Sequence, residues 1–356
     1  MFNELKLFAK LFFVITVLFT VCLYLFSLIL EPALFYFTAE GISTSNLQIT
    51  QLPMYFLNIT VIIPTKISVG TVFLFLWVAT VLSFAAAWKI RGNFHKVIKE
   101  TVNRPFEKLF RSSLFTVPII CSMALIGVIV IQSLQESAGI PTGTSPLPSD
   151  PFQSLLGLAY ASVVEELDFR IIPIGILIII YLWAIRRKSP TLPSVNRVKL
   201  FFTAFLFPDK AKKMVNTKTV EQHGILHGIS ISEWAMVAFT TAVFGLAHFD
   251  PGTSWEIGKV TSAAFAGLII ALCYMVYGAH AAIIIHWFFN VYPESYNLLS
   301  DYYPSFSPIS NTIWLLTLVL GLIGWLMALV LWLRKLTRYM DERRNQTTLN
   351  LTIYPE

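Results

Sequence analysis

A chain of 356 residues that is 56% hydrophobic and 13% charged, with a mean hydropathy of +0.68, excludes a conventional soluble enzyme and reads as an all-α polytopic membrane bundle. The formal charge of +6 collects in a few loops, which makes it an orientation signal and not a nucleic-acid surface. Cys22, Cys121 and Cys273 are scattered through apolar runs, so neither a disulfide framework nor a zinc knuckle is expected.

The apolar runs predict about eight membrane-spanning helices. The first, 7–30, is too long for a signal peptide and is read as a retained helix. Residues 31–66 follow as a loop carrying Glu31, Glu40 and the sequon Asn58-Ile59-Thr60. Segment two, 67–87, leads into a basic stretch with Lys89, Arg91, Lys96, Lys99, Arg104, Lys108 and Arg111, expected on the cytoplasmic side. Segment three, 113–135, is followed by a Gly/Pro/Ser-rich linker, 136–151, without a basic residue, hence external.

Residues 152–185 stay apolar for about 50 Å of helix at about 1.5 Å per residue, more than a bilayer core of about 30 Å needs. One tilted helix bent near Pro173 is expected there. The basic and aromatic stretch 197–218 suggests a short helix lying on the inner membrane surface. Segments five to eight run 231–248, 260–277, 280–298 and 313–333, ahead of a basic tail. This gives three parts: N-terminal helices without motif at 1–151, a core at 152–298, and a last helix with its cytoplasmic tail at 299–356.

Within this apolar background the polar residues are conspicuous. Glu165, Glu166, Asp168 and Arg170 sit inside one helical run, and charge at membrane depth is costly and usually functional. Glu166 and Arg170 are i and i+4 on one face and can neutralise each other, which leaves Glu165, turned about 100° away, as a carboxylate without a local cation. His248 ends segment five, before the turn Phe249-Asp250-Pro251-Gly252. His286 and Asn290 share a face of segment seven, and His280 falls on another. His223 and His227 have i, i+4 spacing but lack the glutamate of an HExxH arrangement, and His95 lies in a basic loop.

These residue types suit peptide hydrolysis. A desolvated carboxylate can take a proton from water, an imidazole can share or return it, and His286 with Asn290 can offer donors to an oxyanion. Equally, Glu165, His248 and His286 could hold zinc in a two-His, one-carboxylate site. Residue types alone leave both open.

In order, Glu165-Glu166-x-x-x-Arg170, Phe244-x-x-x-His248 and His286-x-x-x-Asn290 resemble the motifs of the CPBP intramembrane protease family, also called the ABI or type II CAAX prenyl endopeptidase family. The resemblance covers residues 150–295. It implies that Glu165 and His248 activate the attacking water, that His286 and Asn290 stabilise the oxyanion, and that Glu166 and Arg170 organise the site. The substrate implied is a membrane-anchored protein or peptide, prenylated in the CAAX-processing members, and the family also includes members linked to bacteriocin immunity. Two departures stand out: Ile171 occupies a position where glycine is common, and Asp168 adds a third carboxyl group. The expected setting is the cell membrane, or the endoplasmic reticulum in a eukaryote.

Two other classes fit the same polar interior: a non-enzymatic membrane protein that binds a lipid or partner, and a proton-coupled transporter with Glu165, Asp168 and the histidines as relay. No internal repeat supports the transporter. The segment boundaries put His248 near the outer end of its helix and His286 nearer the inner end of its own, so a shared site requires tilted or short helices.

Overall fold

The computed structural model describes residues 2–57, 59–90, 93–100, 106–188, 196–252 and 254–353. Asn58 of the sequon, and Arg91 and Arg104 of the first basic stretch, lie outside them. In chain order the elements are α1 (Phe2–Phe37), α2 (Ala39–Ser45), β1 (Gln48–Phe56), β2 (Ile59–Ser68), α3 (Val69–Lys89), α4 (Phe94–Lys99), α5 (Ser113–Ser137) and α6 (Pro151–Glu166). A π-helical turn, Leu167–Ile171, joins α6 to α7 (Ile172–Lys188). Then come α8 (Arg197–Leu206), α9 (Pro208–Met214), α10 (Val220–Gly228), α11 (Ile231–Leu246), α12 (Ile257–Tyr277), α13 (Ala279–Tyr302) and α14 (Ser307–Ile353).

The chain is an integral, multi-pass, all-α membrane protein that presents its apolar helices to a lipid bilayer. Among the described residues six helices are long and apolar enough to cross, or seven if the pair α10 and α11, bent by 68°, counts as one span. That is fewer than the eight expected. The difference lies in α13, which carries His280, His286, Asn290, Glu294 and Asp301. Surrounded by α1, α3, α5, α6 and α12, this helix is buried along most of its length and does not need an apolar surface toward lipid.

The expected long fourth helix is present as α6, the π turn and α7. Pro173 has no N–H to give to the preceding turn, and the extra residue of the π turn sits just before it, which locates the expected irregularity. The expected short helix in the basic stretch is α8, with Val198, Phe201, Phe202 and Leu206 exposed beside its basic residues.

Two expectations for residues 31–66 are overturned. Glu31 lies inside α1, where only 2% of it is exposed. The remainder is not a plain loop: after α2 it forms an antiparallel hairpin of β1 and β2, whose Ile, Val and Thr residues favour extended backbone. The core centres on α13, whose Trp287 packs with Tyr24, Phe84 and Tyr292.

Candidate active site

The site is assembled where α6 passes into the π turn against the middle of α13. Glu166 closes α6 and Arg170 lies in the π turn, both with wholly buried side chains, and the ion pair read from their spacing is present at 3.0 Å. The same Glu166 Oε1 lies 2.7 Å from His286 Nδ1. A carboxylate already paired with arginine is an acceptor only, so Nδ1 carries the hydrogen and donates it. This fixes the ring and turns Nε2 toward Glu165, whose Oε2 is 3.8 Å away. Although this is beyond direct hydrogen-bonding distance, one water lying to the side of the pair can hydrogen-bond to both groups.

Glu165 and Glu166 thus occupy different surroundings although they are neighbours in sequence. The Glu165 side chain remains 26% exposed, whereas that of Glu166 is sealed. Asp168, three residues beyond Glu165, is buried in the π turn.

Phe244, read from the sequence only as the first residue of Phe244-x-x-x-His248, is the hub of the site. The Arg170 guanidinium stacks on its ring at 4.0 Å, Phe169 meets it edge-on at 5.1 Å, and its centroid is 4.7 Å from that of His248 and 6.0 Å from that of His286. Gly267 of α12 makes room for this stack, since a Cβ there would come within 2.8 Å of both Arg170 Nη2 and Phe244 Cδ1. α11 ends at Leu246, and Phe244, two residues before that end, is buried against Phe169 of the π turn.

His248 sits in the turn after α11, and its Nδ1 hydrogen-bonds to the Phe244 carbonyl at 2.8 Å. No hydrogen bond links it to Glu165 or His286 among the described residues. Asn290 Nδ2 donates to the Leu158 carbonyl at a long 3.5 Å, toward the α6 N-terminus and away from the glutamates. His280 is placed elsewhere, against Ser113 Oγ at 3.2 Å. His223 and His227 lie on exposed α10, and His95 is on α4.

The proposed zinc ligands do not converge into a site of that kind: among the described residues no three His, Cys, Asp or Glu side chains are grouped to hold a metal ion. Cys22, Cys121 and Cys273 are free thiols.

A second polar cluster backs the first. On another face of α13, turned about 100° from His286, Trp287 Nε1 donates to Glu31 Oε1 at 2.9 Å, and Ser27 Oγ lies 3.4 Å from the same oxygen and 2.6 Å from Ser295 Oγ. Its only sequence signal was an acidic residue at the end of an apolar run. No protein-family model, curated protein or solved structure matches this chain.

Proposed function

We propose that the chain is an intramembrane endopeptidase of the CPBP type, hydrolysing a peptide bond in a membrane-anchored protein or peptide. The observation that supports it most is the imidazole of His286 set between two unequal glutamates, one locked by Arg170 and the other partly open. A purely structural ion pair has no use for the second carboxylate or for an imidazole aimed at it.

In this reading Glu165 and His286 Nε2 hold a water between them. Glu165 takes one of its protons as the oxygen attacks the carbonyl carbon, and the C=O becomes a tetrahedral oxyanion. Asn290, whose described hydrogen bond is long, turns its amide to that oxyanion. The proton then passes to the amide nitrogen, the C–N bond breaks, and the products are a carboxylate and an amine. Glu166 and Arg170 are positioning residues that set the tautomer and angle of His286. His248, held to the Phe244 carbonyl, bounds the site from the α11 side.

The test is cleavage of a panel of quenched peptides, prenylated and unprenylated, by wild type and Glu165→Gln in liposomes, with and without a chelator. Loss of cleavage in the variant with its fold intact is the expected result. Retained cleavage overturns the assignment, and a chelator-sensitive, zinc-restored activity would replace the metal-free scheme. Binding without cleavage, unaffected by Glu165→Gln, would favour the non-enzymatic reading, and pH-driven solute flux the transporter.

A further inference from the structure

The hairpin has no part in the scheme above, yet it runs alongside α6 to the level of the glutamates. Thr44, just ahead of β1, donates to Asp150 at 3.5 Å, and Asp150 caps the start of α6. Farther along, the Tyr160 hydroxyl donates to the Pro53 carbonyl. At the far end the Tyr55 phenol lies in the field of the Glu165 and Asp168 carboxylates, and β1 packs on the π turn. The lengths agree: Glu165 is about 21 Å along α6 at about 1.5 Å per residue. Tyr55 is about 23 Å along β1 at about 3.3 Å per residue.

Because α6 belongs to a membrane span, the hairpin tip reaches membrane depth, and its exposed side chains, Phe56, Ile59, Val61, Ile62 and Ile63, are those that lipid accepts. Its backbone is another matter. In an antiparallel pair, successive residues point their N–H and C=O alternately at the partner strand and away from it. Pro53 has no N–H and gives its carbonyl to Tyr160, so Pro53 points away. The register Pro53↔Ile62, Met54↔Val61, Tyr55↔Thr60 then makes Tyr55 point away as well. Outside the hairpin's own ladder, neither its outward N–H nor its outward C=O has a backbone hydrogen-bond partner among the described residues. An unpaired peptide group at this depth is costly, so the position calls for a peptide.

We infer that Tyr55 is a backbone clamp: an extended apolar peptide adds beside β1 as a third strand, one of its residues pairing with both outward groups of Tyr55, so that its next peptide bond lies at Glu165. This rests on the endopeptidase reading and supplies what that reading lacks, a device that keeps a membrane segment extended while it is cut. A helical segment hides its amides within its own hydrogen bonds, whereas a strand presents them. Pro53 interrupts the pairing next to the tip, because it offers no donor at its own outward position and its carbonyl is already taken by Tyr160.

The test uses the full chain in liposomes and one probe, an end-blocked fluorogenic peptide of alternating valine and leucine. Its amides are N-methylated one at a time, and its affinity is read on Glu165→Gln protein. Loss of one clamp hydrogen bond should weaken binding about tenfold. That loss is expected at one amide and not at its two neighbours, and Tyr55→Pro should erase the pattern while Tyr55→Phe keeps it. Equal tolerance at every amide, or no binding of the probe, overturns the clamp. The N-methyl scan needs no hairpin variant and stands if Tyr55→Pro does not fold. Cleavage by wild type with a flat scan removes only the clamp, whereas equal cleavage by wild type and Glu165→Gln removes the endopeptidase assignment itself.

Discussion

Arg170 shows why spacing could be read and surroundings could not. Its i, i+4 relation to Glu166 is local and survives in the fold at 3.0 Å, but its stacking on Phe244 joins two helices far apart in sequence. Replacing Arg170 with Met leaves the sealed Glu166 carboxylate without its cation, a loss on the order of 3–5 kcal/mol. A marked drop in the thermal midpoint in detergent is therefore expected, with most of it recovered in the Glu166→Gln, Arg170→Met double variant. Gly267→Ala should act differently. Its methyl group would press on the Arg170 and Phe244 side chains at once, so peptide cleavage should fall at least tenfold, with a stability loss of about 1–3 kcal/mol. Equal activity in wild type and Gly267→Ala would mean that the stack does not matter to the site. The adjacent glutamates, His286 and Asn290 were legible because polar residues stand out against apolar helices. The contact of Glu31 with Trp287, 256 residues apart in sequence, was not, because nothing in either neighbourhood names the other.

At the scale of elements, what could be read was periodicity and length, and what could not was the exception to each. The π turn was foreshadowed by Pro173, but the hairpin was passed over because a short strand pair in a chain of long helices gives a weak signal. The corner between α12 and α13 shows the same limit. Gly278 has φ 109°, and a Cβ there would meet the Leu206 carbonyl at 2.3 Å, so this glycine lets α12 turn directly into the helix that carries His286. Gly278→Ala is expected to lower the thermal midpoint and cleavage together, by about 1–3 kcal/mol in stability. An unchanged midpoint would show that α8 yields at this corner. The buried pair of Lys212 and Glu233, 2.9 Å apart, fixes the bend between α10 and α11, since Glu233 also completes the capping box of Ser230. Lys212→Met should cost about 3–5 kcal/mol by stranding that carboxylate, again as a lowered midpoint.

For the whole molecule, composition alone was enough to assign an all-helical multi-pass protein, because a bilayer admits few alternatives. The number of spans was less legible, since α13 is polar where it faces its neighbours and is hidden from lipid by them. The site likewise belongs to the assembly as a whole, with α1 holding the back of α13 through Glu31. Glu31→Leu should strand the Trp287 N–H, lower stability by about 1–3 kcal/mol and slow cleavage through the shifted His286; normal cleavage would limit Glu31 to packing. The hairpin, finally, is made long before its berth. The Tyr160 hydroxyl that receives Pro53 lies 107 residues downstream, an interval of about 5–20 s at the usual pace of synthesis, about 5–20 residues per second. Throughout that time the strand pair has α3 beside β2 but lacks α6, the helix on which β1 rests. The nascent chain must keep β1's free edge in water or in the care of the insertion machinery, so the hairpin is most exposed to aggregation in the interval before α6 arrives to seat it.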